Sequence, residues 1–230
     1  MTPDPRAPAR GAGVWVVLAA AGSGERLGAE QPKAFVKLGE LPMLAESLAR
    51  LDESDWIDGI VVAAPPGWEE PAILVAEEIG ASKVSSCVTG GATRAESVRT
   101  ALAEVPEDAT VVLVHDAARP LLPQEVLERV LTALNEGWDG AVPGLPVSDT
   151  VKRVDGELVV ETLERDSLVA VQTPQAFLAD VFRRAVGGGE GTDCASLVER
   201  AGGRVTWVQG DERLRKVTTR ADLELVSSWL

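Results

Sequence analysis

An α/β fold with a mostly parallel sheet covered by helices on both faces is predicted from the pattern of the sequence. Short, nearly continuous apolar runs alternate with segments of amphipathic helical periodicity, which is typical of buried parallel strands joined by crossover helices. The chain has 230 residues, a length that suits one large domain and is short for two catalytic domains. We therefore expect a single doubly wound sandwich.

The predicted elements alternate in chain order. Residues 1–13 are rich in Pro, Ala and Gly and are expected to form a disordered leader, followed by one domain over 14–230. The predicted strands are Val14–Ala19, Ile57–Ala64, Val84–Val88, Thr110–His115 and Gly140–Leu145. The predicted helices are Met43–Glu53, Glu69–Ile79, Arg94–Val105 and Pro123–Glu136. Ligands of such sheets bind beyond the carboxyl ends of the strands, so the residues after each strand are the first candidates for a site.

The alternation stops at about residues 147–167, where a β-hairpin arm is predicted. Two short strand-like runs flank Asp155-Gly156, a dipeptide that favours a tight hairpin turn. An isolated two-stranded ribbon is marginally stable in water. We therefore expect the arm to protrude from the sandwich and to pack on a second copy of the chain, forming a homodimer.

The charge and the apolar runs exclude several classes of protein. With 36 acidic and 22 basic side chains, the net charge of −14 opposes a broad nucleic-acid or anionic-membrane surface, so an anionic ligand needs a local basic pocket. The apolar run Val14–Ala21 is too short to span a bilayer, and a cytoplasmic protein is expected. Cys87 and Cys194 are far apart in sequence and predict neither a zinc site nor a disulfide framework.

A glycine-rich loop follows the first predicted strand, with the sequence AAAGSGERLG over residues 19–28. Small residues allow a backbone to approach a ligand, and glycine lets the N–H groups of a tight loop converge on phosphate oxygens. The loop has neither the third glycine of a dinucleotide fingerprint nor the Gly-Lys-Ser/Thr ending of a Walker loop. By itself it fits a phosphate loop or an ordinary strand-to-helix turn. Arg26 and Lys33 flank it and favour the phosphate loop, because both could reach a bound triphosphate.

A second polar site ends the fourth predicted strand, where the apolar run closes with His115 and Asp116. Mg²⁺ prefers one or two carboxylates together with phosphate oxygens and water, so Asp116 is a candidate metal ligand. The alternative is an aspartate that caps a turn. His115 is the only histidine and is expected to pack or to form a local hydrogen bond rather than to join a multi-histidine metal site.

Seven motifs in order resemble the methylerythritol-phosphate cytidylyltransferases of the non-mevalonate isoprenoid pathway. They span nearly all of residues 14–230 and are AAAGSGERLG, QPKAF, GGATRAESV, VLVHDAARP, VSDTVKR, VQTPQAF and RKVTT. The resemblance implies a Rossmann-like nucleotidyltransferase fold and Mg²⁺-dependent transfer of cytidine monophosphate from CTP to a polyol phosphate, 2-C-methyl-D-erythritol 4-phosphate. It also implies a homodimer joined through the arm.

The resemblance further assigns residues to roles. Those around the triphosphate are Ala20, Ala21, Gly22, Ser23, Gly24, Arg26 and Lys33. Those matching cytosine and ribose contacts are Gly90, Gly91, Ala92, Thr93, Arg94 and Ser97. Those matching the metal, the sugar phosphate and the reacting phosphate are Asp116, Arg119, Thr173, Thr192, Asp193 and Lys216. Thr150 and Arg165, on the arm, match residues that such dimers lend to the partner's site.

Two departures from the family pattern concern substrate contacts. Cys194 stands where an acidic residue is common, and Leu214-Arg215 precedes Lys216 where Asn and an apolar residue are common. Two alternative functions remain open on the sequence. One is a cytidylyltransferase that uses ribitol 5-phosphate, and the other is a CTP-binding regulator without catalysis.

Among the assigned residues, Arg26, Lys33 and Lys216 are predicted to be catalytic. The acceptor phosphate is largely ionised at neutral pH, since its second pKa is about 6. No general base is therefore required, and the three cations and Mg²⁺ are expected to stabilise the charge on the reacting phosphate.

Overall fold

The fold is described from a computed structural model that covers residues 13–24, 27–28, 31–187 and 193–230. Its strands are β1 Val14–Ala19, β2 Lys37–Leu38, β3 Leu41–Pro42, β4 Gly59–Ala64, β5 Val84–Thr89, β6 Val111–Asp116, β7 Gly140–Pro146, β8 Lys152–Asp155, β9 Leu158–Thr162, β10 Val169–Val171, β11 Gln175–Leu178 and β12 Val205–Gln209. Its α-helices are α1 Met43–Asp52, α2 Glu69–Glu78, α3 Arg94–Ala103, α4 Gln124–Asn135, α5 Ala179–Val186, α6 Cys194–Arg200 and α7 Arg220–Ser227.

An eight-stranded sheet forms the centre of the fold, in the order β10-β7-β11-β6-β1-β4-β5 with β12 paired to β7. The pairs β1–β4, β1–β6, β4–β5 and β7–β12 are parallel, whereas β11 runs antiparallel to β6 and β7. The sheet is therefore mostly parallel, as predicted. The carboxyl ends of β5, β4, β1 and β6 lie side by side at one edge.

Helices cover both faces of this sheet. The alternation along β1 shows why, since Val16 and Leu18 pack into one apolar cluster and Val17 into another on the opposite face. Helices α1, α2 and α4 complete the first cluster, and α3, α5 and α6 complete the second. A strand buried on both faces needs apolar residues at every position, which explains the continuous apolar runs in the sequence.

The predicted strands and helices are confirmed, with ends that differ by a few residues. The strands β10, β11 and β12 and the helices α5 to α7 had no predicted bounds. Their periodic signal is weak because β10 and β11 have only three and four residues and α6 has seven. Of the leader expected over residues 1–13, only Gly13 is among the described residues, and its N–H donates to Asp58 Oδ2 at 3.0 Å.

The arm predicted at about residues 147–167 is present as a separate two-stranded sheet of β8 and β9. Its two-residue turn, Gly156-Glu157, lies one residue later than the predicted Asp155-Gly156, and Gly156 has the positive φ of +56° that glycine favours. Every residue of both strands is exposed. Among the described residues, no helix is long and apolar enough to cross a membrane.

Candidate active site

A cavity of about 580 Å³ opens at the carboxyl ends of β1 and β6 and at the start of α3. This is the position that a doubly wound sheet predicts for a ligand site. The residues that line it are Ala19, Ala20, Ala21, Gly22, Ser23, Gly24, Lys33, Ala34, Gly91, Ala92, Thr93, Arg94, Ser97, Asp116, Ala117, Ala118, Lys216 and Thr218. Within the described part of the chain, its charged lining groups are three cations and one carboxylate, which form a local basic pocket in a strongly acidic chain.

The glycine loop forms one wall of the cavity and is held against Lys33. Lys33 N donates to Gly22 O at 3.3 Å, which closes the loop. Gly24 has a φ of +76°, and a Cβ on it would lie 2.8 Å from Lys33 Cβ. A larger residue at position 24 would therefore be strained and would displace the lysine. The loop and the lysine after Pro32 thus form one unit, with Lys33 placed beside the backbone of residues 22–24.

A second wall of the cavity is the loop that begins α3. Thr93 and Glu96 form a reciprocal capping box, in which Glu96 N donates to Thr93 Oγ1 at 3.1 Å and Thr93 N donates to Glu96 Oε2 at 3.0 Å. Gly91 N donates to Ser97 Oγ at 3.1 Å. Gly90 lies behind this wall, where a Cβ would meet the side chains of Ala21 and Ser97. These contacts fix residues 90–93 at the cavity, with Gly90 packed against Ala21 of the glycine loop.

Asp116, the last residue of β6, lies at the centre of the site with its side chain 8 % exposed. Its Oδ1 accepts a hydrogen bond from Arg94 Nε at 2.9 Å, and its Oδ2 accepts one from Lys216 Nζ at 2.8 Å. Arg119 Nε lies 4.0 Å from Oδ2. Burial alone would raise the pKa of this carboxyl, but Arg94, Lys216 and Arg119 hold it well below its usual range. Asp116 is therefore an anion at neutral pH.

The acidic side chain of the cavity fits a divalent ion that binds together with a phosphate. The described residues contain no group of three or more His, Cys, Asp or Glu side chains that could hold a metal by themselves. Mg²⁺ does not require such a group, because it commonly binds through one or two carboxylates plus phosphate oxygens and water. Asp116 supplies one carboxylate at the cavity wall. The residues present fit a magnesium ion that arrives with a nucleotide phosphate and shares Asp116 with its cations.

Behind Asp116 lies a hydrogen-bonded chain that begins at the buried His115. Its Nε2 lies 3.1 Å from Arg119 O, and its Nδ1 lies 3.1 Å from Thr173 Oγ1. A carbonyl can only accept, so Nε2 carries the proton and Nδ1 accepts from the threonine hydroxyl. Thr173 Oγ1 in turn accepts from Asp116 N at 3.1 Å. The expectation that His115 forms a local hydrogen bond is confirmed.

The same histidine predicts a specific pH dependence of stability. Burial lowers its pKa from 6.5 to about 4, so the unfolded chain binds the proton between these values and the native fold does not. The contribution of neutral His115 to the free energy of unfolding is therefore fully present above pH 6.5. It falls by roughly 3 kcal/mol as the pH drops to 4. We expect His115→Gln to be less stable at pH 7 and to lack most of this fall.

Urea unfolding of both proteins between pH 7 and 4.5 measures this effect. His115 is the only histidine, so no other histidine contributes to the difference. Equal pH slopes for the wild type and the variant would contradict the assignment.

The structure brings most of the predicted site residues together and leaves some apart. Arg119, Thr173 and Asp193 lie behind the cavity wall: Arg119 Nη1 donates to Leu214 O at 2.6 Å, and Asp193 caps α6 and accepts from Gln175 Nε2. Thr150 and Arg165 are exposed at the base of the arm and do not line the cavity. Arg26 and Thr192 lie outside the described residues.

Arg94 lines the cavity, and its guanidinium donates to Asp116 at 2.9 Å and to Cys194 Sγ at 3.4 Å. Its contact with the cytosine and ribose stays a prediction. Cys194 is buried, and burial raises the pKa of its thiol, so it is a packed thiol and not an activated nucleophile.

Five lining residues were not singled out from the sequence: Ala19, Ala34, Ala117, Ala118 and Thr218. Each lies within one of the seven motifs, which is the signal that could have found them.

Both the sequence and the fold are similar to those of one family of known proteins. The sequence model of the family described as 2-C-methyl-D-erythritol 4-phosphate cytidylyltransferase matches residues 14–230. Proteins of that name from Frankia casuarinae and Saccharopolyspora erythraea are 44 % and 45 % identical, over 98 % and 94 % of this chain and 84 % and 99 % of theirs. The crystal structure of the enzyme of that name from Thermus thermophilus superposes with a TM-score of 0.76 at 33 % identity, covering 93 % of this chain and 97 % of the other.

Proposed function

This chain belongs to the 2-C-methyl-D-erythritol 4-phosphate cytidylyltransferase family, and from that membership we infer its reaction. It transfers cytidine monophosphate from CTP to 2-C-methyl-D-erythritol 4-phosphate, giving 4-diphosphocytidyl-2-C-methyl-D-erythritol and pyrophosphate. The observation that carries this assignment is the cavity, where a glycine loop and three cations meet one buried carboxylate. That combination suits a bound triphosphate.

Catalysis of this reaction depends on stabilising negative charge and does not require a general base. The attacking oxygen belongs to a phosphate monoester that is already largely ionised at neutral pH. A nucleophile and a triphosphate are both anions, so the site must bring them together and stabilise the charge that develops at the α-phosphorus. Lys33 and Lys216 come from distant parts of the sequence, and both line the cavity. Their ammonium groups are suited to binding the two anions and stabilising this charge.

Separate roles follow from where these side chains lie. We assign Lys33, beside the glycine loop, to the β- and γ-phosphates that leave as pyrophosphate. We assign Lys216, 2.8 Å from the Asp116 carboxylate, to the reacting phosphate. Arg94 is assigned to holding Asp116 in place, and the capped loop of residues 90–93 to the cytidine. The role of Arg26 follows from the family resemblance alone.

Mg²⁺ is the proposed cofactor, held by Asp116 and by oxygens of the bound triphosphate. When bound, it would neutralise part of the negative charge of the triphosphate. The low pKa of Asp116 supports this proposal, because the carboxylate is ionised and able to bind a cation throughout the neutral range.

A homodimer joined through the arm is also proposed, with Thr150 and Arg165 reaching the partner's cavity. The support is the apolar surface of β8 and β9, where Val154 pairs with Val159 across the strands and both are more than half exposed. An isolated chain would leave this surface in water.

We expect Val159→Asp to shift the protein from dimer to monomer in sedimentation velocity and to lower turnover sharply, because Thr150 and Arg165 would then be lost from the partner's site. Leu74→Asp is the matched control, since Leu74 lies on α2 and is exposed to a similar extent. A monomeric wild type, or a monomeric Val159→Asp variant with full turnover, would overturn the shared-site proposal.

Pyrophosphate release from the purified protein with CTP and Mg²⁺ tests the reaction itself. Three samples are compared: 2-C-methyl-D-erythritol 4-phosphate, ribitol 5-phosphate and no acceptor. We expect release only with the first. A preference for ribitol 5-phosphate would move the assignment to that substrate, and CTP binding with no release in any sample would indicate the regulator.

A further inference from the structure

Lys216 lies in a segment of irregular backbone, residues 215–219, between a short 3₁₀ turn and α7. Its Nζ nevertheless reaches Asp116 Oδ2, 100 residues away in sequence, at 2.8 Å. A free lysine side chain has many accessible rotamers, and irregular backbone adds to that freedom. Val217 N, which donates to Ala118 O at 2.8 Å, fixes the middle of the segment to the loop after β6. The segment therefore needs further anchors if Lys216 is to remain on Asp116.

Asp222, in the first turn of α7, supplies such an anchor. Its Oδ2 accepts from N and Oγ1 of Thr218 at 3.1 and 2.7 Å, and from N and Oγ1 of Thr219 at 2.9 Å each. Its Oδ1 accepts from Arg215 Nε at 2.9 Å. One carboxylate thus binds residues on both sides of Lys216 in the chain. Its role is wider than that of an ordinary capping box, which would engage Thr219 alone.

The Asp222 carboxylate is well suited to this role because it is charged and shielded. The residue is only 7 % exposed. Burial by itself would raise the pKa of its carboxyl, but the hydrogen bonds from Thr218, Arg215 and Thr219 hold that pKa far below its ordinary value. Hydrogen bonds to an ionised acceptor are roughly twice as strong as those between neutral groups. The segment is therefore fixed most strongly at the residues that flank Lys216.

We propose that Asp222 is a positioning residue for the transfer reaction, which holds residues 215–219 so that Lys216 stays at Asp116 and the reacting phosphate. Asp222 does not line the cavity, so it acts on the substrate only through Lys216 and Thr218. The inference rests on the proposed function for the chemistry. The position of Lys216 that it explains can be measured without that chemistry.

The kinetic test compares Asp222→Ala and Asp222→Asn with the wild type. A misplacement of about 1 Å can cost about 10²-fold in rate, so we expect Asp222→Ala to lower kcat by about that factor. The KM for CTP should change little, because the interaction lost is made mainly in the transition state. Asp222→Asn retains one acceptor oxygen and should recover part of the loss. A folded Asp222→Ala variant with wild-type kcat would overturn the proposal.

Asp58→Ala is the matched control for stability. The Asp58 carboxylate also binds backbone, accepting from Gly13 N and Val14 N, but at the opposite edge of the sheet from the cavity. We expect its loss to lower the unfolding midpoint without lowering kcat. Equal falls in kcat for the Asp58 and Asp222 variants would show a general structural effect and would also overturn the positioning role.

Labelling of lysines by acetic anhydride, read by mass spectrometry, measures the position of Lys216 independently of catalysis. An ammonium that donates to a carboxylate must leave it before it can react. We expect Lys216 to be labelled several-fold faster in Asp222→Ala than in the wild type, with Lys37 of the same chain as the exposed reference. Unchanged labelling of Lys216 in the folded variant would overturn the proposal. If the wild type releases no pyrophosphate, the reaction assignment fails and the labelling alone decides.

Discussion

Lys33→Ala is expected to lower the turnover of CMP transfer by about 10²–10³-fold at saturating CTP, which is the range for removal of a single group that stabilises charge in a transition state. The variant loses the ammonium beside the glycine loop, where we propose that the leaving pyrophosphate gains charge. The fold should be preserved, because the hydrogen bond that closes the loop uses the backbone N–H of residue 33, which alanine retains. Initial rates of pyrophosphate release, together with thermal unfolding, measure both effects.

Lys37→Ala provides the control for Lys33. Lys37 lies four residues further along on β2, is exposed and does not line the cavity. Its loss removes the same charge from the same region of the surface and should leave turnover unchanged. Near-normal turnover in Lys33→Ala, or equal losses in the two variants, would contradict the assignment of Lys33 to the triphosphate.

Asp116→Asn is expected to have an effect at least as large, lowering kcat by about 10²–10³-fold or more. Asparagine has nearly the same shape, and its backbone N–H can still donate to Thr173 Oγ1. It removes the charge that pairs with Arg94 and Lys216 and that would bind Mg²⁺. A lower unfolding midpoint is also expected, since cations near the cavity lose their counter-charge. Rates are therefore compared well below the midpoint of the variant, over a series of Mg²⁺ concentrations.

The control for this charge change is Asp180→Asn. Asp180 pairs with Arg184 on α5, where both side chains are largely exposed, and an exposed pair contributes little. We expect normal turnover and a normal response to Mg²⁺ in that variant. If Asp116→Asn also kept a normal response to Mg²⁺, the proposed metal site would have to be abandoned.

The sequence by itself determined the doubly wound fold, the arm and the location of the site. The strands β1, β4 and β6 are buried on both faces, so their apolar runs could be read without a structure. Gly24 and Gly156 occupy conformations that favour glycine, so the glycine-rich loop and the hairpin turn could also be predicted. Short elements such as β11, with four residues, gave no comparable period.

Only the tertiary structure decided how the polar residues combine. Arg94 and Lys216 are 22 and 100 residues from Asp116 in sequence, and nothing in the local sequence shows that both bind its carboxylate. The burial of Thr173 against His115 and the anchoring of the Lys216 segment by Asp222 are of the same kind. The physical reason is that local propensity and periodicity act over a few residues, whereas hydrogen bonds and ion pairs depend on which strand ends the sheet order brings together.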